Sequence, residues 1–467
     1  MVKTDLHAHS SLQPYGQTFR EKPSSLQKKK QSLWYYNPPR GLKKLLELLF
    51  GASSYSQSNF TSAGMGNVQV MNVSLYPPEI AFFENKLPDK LGNGLEDIIT
   101  RFSIDRIKEI ENGNYKYFTD ILGQIAFMEK FHNAVSPDGK YRCIIAKNYN
   151  DIDTAIKQAT TDTIVCVLNI EGGHTLDCGY PQDAIRPLTT QEKDAIINNI
   201  SILKKQTFPI LYLTLCHHFY NQLCGHCKSL PDFVNFVSSQ DLGMNYQLNA
   251  FGEEVINMLL DPDPAKGKPI YIDIKHMSAI GRKRYFEMIF KGKINGRNTW
   301  TVPIIYSHGG PNSRGDHSLP EDFVKNEKVN PADIGLYDNE IIAIAESNGI
   351  IGLNIDQRVM ASPDYLEEVK KKTLVGNKHE RKMWWSSIVF ENIKYITELL
   401  YENGYDPFTF VGMGTDYDGA INPVNNFLQE ADMPDLAEYL KCHIENYYAD
   451  PNCPIKTKRS SPGEVEN

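Results

Sequence analysis

Short apolar runs alternate with longer amphipathic stretches along most of the chain. ILYLTL, PIYIDI, VPIIY, GIIGLNI and FTFVGMG are nearly continuous in apolar residues. Strands covered on both faces read this way, whereas strands with one wet face alternate. Strands are accordingly expected at 2–6, 68–75, 141–146, 164–170, 210–215, 270–274, 302–306, 350–355 and 408–413. Helical spacing fills the intervals, as at 95–111, 115–135, 191–205, 246–260, 333–348 and 384–403. Such alternation predicts an α/β protein with a parallel sheet, and the expected fold is a TIM-like (β/α)8 barrel with long inserted loops. A barrel of this type closes with eight strands. One candidate is therefore surplus, and 141–146 is expected to lie outside the barrel.

Some connections exceed simple βα loops. Residues 10–66, rich in Ser, Gln, Tyr and Lys, and residues 217–245 and 309–332 show no clean period. Loops of this length usually carry function or move. Residues 1–455 are read as one barrel domain holding these three inserts, and 456–467 as a polar tail. The run Lys28-Lys29-Lys30 is read as a solvated face.

Composition narrows the classes. The 467 residues are 41% hydrophobic and 23% charged, enough for a full-sized core. A net charge of -8 argues against a nucleic-acid footprint. No run of 18 apolar residues exists, so no transmembrane helix is expected. The opening MVKTDLHAHS lacks the apolar run of a signal peptide, which makes the cytoplasm the expected location. The cysteines are scattered, and Cys224-Gly-His-Cys227 has no second pair, so reduced thiols without metal are expected. Homodimerisation stays open.

The polar residues of interest share one position, the C-terminal end of an expected strand. His7 and His9 follow 2–6, Glu171 follows 164–170, His217 follows 210–215, and His276 follows 270–274. His308 follows 302–306, and Asp416 and Asp418 follow 408–413. In a closed parallel barrel all these ends open on one face, where barrel active sites lie. His7 and His9, two apart on a strand, point to one side and suit a shared metal ion, with Asp5 as an orienting acceptor. An acid such as Glu171 at the end of an apolar strand needs a positive partner, either a Lys or Arg or a pair of metal ions that it bridges. With Glu171 shared, His7, His9, His276 and His308 complete three protein ligands for each of two ions and leave positions for water. Gly172 and Gly173 would let the backbone pass close by, and His174 is read as structural.

In chain order the segments DLHAH, NIEGGHTL, LYLTLCHH, YIDIKHMS, VPIIYSHGG and VGMGTDYDG span residues 5–419. With them the chain resembles the membrane dipeptidase (renal dipeptidase) family of metallopeptidases, within the amidohydrolase superfamily. The resemblance implies two zinc ions, one on His7, His9 and Glu171 and the other on Glu171, His276 and His308. It implies that His217 contacts the scissile carbonyl and that Asp416 carries the proton. The implied substrate is a dipeptide or a similarly small N-acyl amino acid.

Two departures stand out. The family commonly opens with His-x-Asp, whereas this chain has His7-x-His9, which changes the charge on the first ion and its metal preference, so manganese or iron stays open. The family also places an arginine after the SH motif to grip the substrate carboxylate. Here Arg314 is near that place but out of register, and Arg358 is the other candidate. A PHP-type phosphoesterase is a second reading, since DLHAHS resembles that family's opening, but Asp416-Tyr417-Asp418 lacks its usual terminal histidine. A metal-stabilised binding protein without catalysis is a third.

Overall fold

The apolar runs assemble into one sheet in the computed structural model, which describes residues 3–39, 55–83, 102–158, 162–230, 238–290, 293–294, 297–298, 302–318 and 323–455. The strands are β1 (Thr4–Ala8), β2 (Val70–Leu75), β3 (Tyr141–Ile145), β4 (Asp162–Glu171) and β5 (Ile210–Thr214). They continue with β6 (Tyr271–Asp273), β7 (Ile305–Gly309), β8 (Ile350–Leu353) and β9 (Val411–Met413). β1 lies between β2 and β9, β2 pairs with β4, and the ladder runs on through β5, β6, β7 and β8 back to β9. Every one of these pairings is parallel. The result is a closed eight-stranded parallel barrel with helices around it, a TIM-like (β/α)8 fold.

β3 is the strand left outside, as the pattern at 141–146 leads one to expect. The long β4 makes room for it. Its first half, Asp162 to Cys166, pairs with β3, and its second half, from Leu168, pairs with β5. Its other edge meets β2 from Val70↔Val165 to Leu75↔Ile170. The barrel core is built of inward and outward aliphatic residues such as Val73, Leu168, Leu213, Ile272 and Leu353, all fully buried.

Strand boundaries shift where proline intervenes. The run at 302–306 becomes Ile305–Gly309, because Pro303 has no N–H for the ladder and Ile304 gives its own to Ser347 Oγ. His308 therefore sits inside β7 rather than after it. The last strand starts late as well, at Val411, after Pro407 and an Asx turn in which Phe408 N–H bonds Asp406. Helix starts follow their caps: Ser103 opens Ile104–Glu111, Asn249 opens Ala250–Leu260, and Asn377 with Glu380 opens Lys378–Glu402. Residues 95–101 and the tail 456–467 lie outside the described residues. The insert 10–66 contains the short helices Leu12–Gly16, Ser25–Lys30 and Phe60–Met65, and Lys28, Lys29 and Lys30 are exposed. No helix among the described residues is long and apolar enough to cross a membrane.

The helix Thr190–Lys204 shows local chemistry with a pH signature. Thr189 and Glu192 form a capping box, and Arg186 grips the Glu192 carboxylate at 2.7 and 2.8 Å. Hydrogen bonds from Arg186 and then Thr189 hold that carboxyl at about 2, against an ordinary 4.5. A depressed acid stabilises fully above its ordinary value and loses that contribution as the pH falls through the folded one. Glu192→Gln is expected to cost at most about 1 kcal/mol at neutral pH, since the group is exposed. The gap to wild type should narrow between pH 4.5 and about 2, which urea midpoints across that range would measure.

Candidate metal centre

Glu171 ends β4 at the C-terminal mouth of the barrel, 2% exposed. Imidazoles from neighbouring strand ends surround it. His9 Nε2 lies 2.9 Å from Oε2 and His217 Nε2 3.7 Å from the same oxygen. Oε1 lies 3.6 Å from His7 Nε2 and 3.5 Å from Nε2 of both His276 and His308. That Oε1 atom is buried and accepts no hydrogen bond among the described residues. An uncompensated buried carboxylate oxygen is costly. Three ring nitrogens aimed at it from 3.5–3.6 Å are of the type that could hold a cation. Among the described residues, the groups that could hold an ion are His7, Glu171 and His308; His7, His9 and Asp416; and Glu171, His217 and His276.

For His7, His217 and His308 the far nitrogen explains why Nε2 is the inward atom. Tyr212 donates its hydroxyl proton to Leu6 O at 2.6 Å, so its oxygen can only accept from His7 Nδ1 at 3.2 Å. Ser307 donates to Asp273 at 2.6 Å and so accepts from His308 Nδ1 at 2.8 Å. Glu79 accepts from His217 Nδ1 at 2.6 Å. In each case Nδ1 carries a proton, which directs Nε2 at the cluster and is the usual support of a metal-binding imidazole. Tyr212→Phe is expected to weaken metal binding by about 10-fold, read by chelator competition.

Asp416 reaches the cluster from the loop after β9. Its Oδ1 lies 3.4 Å from His9 Nε2 and its Oδ2 3.9 Å from His308 Nε2, with Asn354 Nδ2 at 3.4 Å behind it. The loop is tight: Asp416 has φ 60 and Asp418 φ 67, and a Cβ on Gly419 would stand 2.1 Å from Asp416 Oδ1. Only glycine leaves space for the carboxylate there. The two aspartates have separate tasks. Asp418 turns away and accepts from the backbone N–H groups of Gln57 and Ser58 and from the hydroxyls of Ser56 and Ser58, which ties the insert 10–66 to the barrel mouth.

Burial and charge act in opposite directions here. Burial raises the Glu171 carboxyl, but the charges of His217, His7 and His9 outweigh it and hold the group well below the usual range. Burial lowers His9, yet Glu171 and Asp416 carry it up to about 10, so a metal ion at this ring would take the place of its Nε2 proton. Burial pushes His276 down to about 3 and His308 well below its ordinary value, which keeps both rings neutral as metal ligation requires.

The structure thus brings together His7, His9, Glu171, His217, His276, His308 and Asp416. The arginines lie differently. Arg314 is buried, donates to Asp333 at 2.7 Å and lies over the Tyr337 ring, so it belongs to a separate cluster. Arg358 pairs with Asp356, reaches Ala420 O in the loop that carries Asp416, and feels the Asp416 charge. Asp5 does not meet an imidazole. Its Oδ1 accepts from the backbone N–H groups of His7 and Thr415 and its Oδ2 from the Thr415 hydroxyl, so it joins β1 to the end of β9, and Tyr212 takes the orienting role expected of it. His174 Nε2 is satisfied by Pro77 O at 2.8 Å. Gly172, at φ 97, has the His174 ring where a Cβ would be. Cys224 and Cys227 donate to the carbonyls of Gly225 and Met277.

Glu79, Tyr212 and Asp273 escape the sequence reading. Asp273 stands in YIDIK in alternation with Tyr271 and Lys275, and period two on a barrel strand was the available signal. Glu79 lies just past the end of β2, at Leu75, so the strand-end position that marks the other residues was an available signal for it as well.

No protein-family model and no curated protein matches the chain. Among solved structures it is similar to an amidohydrolase from Pseudomonas aeruginosa, with 14% identity, 87% of each chain covered and a TM-score of 0.45. It is similar to the probable dipeptidase PvdM from Pseudomonas aeruginosa, with 14% identity, 88% of this chain and 85% of that one covered, and a TM-score of 0.43. A metallo peptidase from Rhodobacter sphaeroides, liganded with a phosphinate mimic of the dipeptide L-Ala-D-Ala, gives 12% identity, 100% and 99% coverage and a TM-score of 0.48. What the site can do follows from this chain's own residues.

Proposed function

We propose that this chain is a metal-dependent hydrolase that cleaves the amide bond of a dipeptide or a similarly small N-acyl amino acid. The observation that carries the metal centre is the buried, unbonded Oε1 of Glu171 facing three Nε2 atoms. The amide substrate is supported by the motifs that resemble the membrane dipeptidase family. His7, His9 and Glu171 would hold one divalent ion, and Glu171, His276 and His308 the other. Imidazole and carboxylate donors suit zinc, which when bound polarises a carbonyl and activates water near neutral pH.

The protein's own groups supply the rest. His217, with its Nδ1 proton on Glu79 and, against burial, its cationic form favoured by the charges of Glu171 and Glu79, would carry a second proton on Nε2 toward the place where a substrate carbonyl oxygen develops charge, and a single good donor there contributes about 3–4 kcal/mol. Asp416 accepts the proton of the attacking water and returns it to the leaving amine. Both arginines already hold an aspartate, Arg314 through Asp333 and Arg358 through Asp356; Arg358 is the one proposed to meet a substrate carboxylate, because it also reaches Ala420 O in the loop that carries Asp416. Metal analysis of the purified protein by plasma mass spectrometry, with a ninhydrin screen of dipeptides on the same sample, tests this reading. Two ions per chain and dipeptide cleavage are expected. Absence of metal after reconstitution would sink it.

A further inference from the structure

Glu79 lies outside every motif, in the connection after β2, yet it is 2% exposed and meets the cluster from behind. Its Oε2 accepts from His217 Nδ1 at 2.6 Å and from the Tyr76 hydroxyl at 3.2 Å, and its Oε1 accepts from Phe219 N–H at 3.1 Å. Tyr76 in turn accepts from Glu79 N–H at 3.3 Å, and its ring stands 4.8 Å from that of His217. The carboxylate thus grips both ends of the three-residue stretch 217–219 and joins the connection after β2 to the one after β5.

We propose that Glu79 is the positioning residue for His217, fixing the ring and its Nδ1 proton so that Nε2 is the atom presented to the substrate. The part that concerns the substrate rests on the amide-hydrolase reading above; the part that concerns the ring does not. The donors around Glu79 leave no place for an amide. Each carboxylate oxygen receives a proton, so a glutamine would turn its NH2 against Phe219 N–H or against the His217 and Tyr76 donors. A strong hydrogen bond from an imidazole to a carboxylate also holds the Nδ1 proton and the ring in place as water would not.

The test uses full-length protein labelled with 15N-histidine, metal-free and zinc-loaded, as wild type, Glu79→Gln and Glu79→Ala. A low-field Nδ1 proton, assigned by its loss in His217→Ala, is expected in wild type. It should move upfield in Glu79→Gln and vanish in Glu79→Ala. In zinc-loaded protein kcat is expected to fall by about 10–100-fold with KM and metal content little changed. Glu79→Gln, nearly isosteric, carries the comparison if the alanine variant does not fold. An unchanged low-field proton in Glu79→Gln, or a kcat within twofold of wild type with that proton altered, would overturn the proposal. If wild type hydrolyses no amide, the functional reading fails while the proton signal still decides whether Glu79 holds the ring.

Discussion

Glu171→Gln should strip the protein of its metal and its hydrolytic activity together. Glutamine keeps the shape of the side chain but replaces one carboxylate oxygen with an NH2 group. That group would point hydrogens at the Nε2 lone pairs of His7, His276 and His308, or at His9 and His217 if the amide flips. The negative charge that compensates cations in a site only 2% exposed is also lost. Changing a group one step removed from a metal typically costs 10–100-fold in affinity or activity, so losing the shared ligand is expected to cost more than about 100-fold in both. Metal content by plasma mass spectrometry and amide hydrolysis on one preparation would measure it. A variant with full metal content and full activity would remove Glu171 from the centre of the site.

Asp416→Asn should separate chemistry from metal binding. The residue sits at φ 60, a conformation that asparagine adopts as readily as aspartate, so the loop should keep its course. Hydrogen bonding to Asn354 and space beside Gly419 also remain available to the amide. What disappears is the ability to take up a proton and return it, and general acid–base catalysis of this kind is worth about 10²–10⁴-fold. The expected result is a kcat lower by that factor with metal content near wild type. Metal loss in parallel would instead make Asp416 a ligand, the role its grouping with His7 and His9 would allow.

Much of this architecture was legible in the one-dimensional pattern. Unbroken apolar runs mark strands that must be covered on both sides, and their alternation with helices leaves a parallel barrel as the economical closure. The surplus run at 141–146 stands outside because β4 is long enough to pair with β3 and β5 in succession on one edge. Strand ends were less legible. Pro303 withholds a ladder hydrogen bond and the turn closed by Asp406 delays the last strand, and only the pairing decides where each strand then begins.

The cluster divides along the same line. Residues at strand ends can be located from the sequence because a parallel barrel opens all its carboxyl ends on one face. His7, His9, Glu171, His217, His276, His308 and Asp416 therefore declare themselves by position alone. The groups that aim them do not. Tyr212 reaches His7 from β5, Asp273 reaches His308 through Ser307, and Glu79 reaches His217 from a connection well over a hundred residues earlier. No local period records such meetings, because a hydrogen bond between distant segments depends on where the folded backbone brings them.

The same holds for the charged residues whose chemistry looks equivalent on paper. Asp416 and Asp418 are two apart in one motif, yet one faces the imidazoles and the other fastens the insert through Gln57 and Ser58. Arg314 and Arg358 look alike as grips for a carboxylate, and each holds an aspartate, but only Arg358 reaches the loop that carries Asp416. By itself the sequence determined the barrel, the face that carries chemistry and the identity of the metal-binding side chains to be tested. The tertiary structure alone decided which way each ring and carboxylate points, since orientation is set by partners remote in the chain and by the low-dielectric surroundings that make each partner matter.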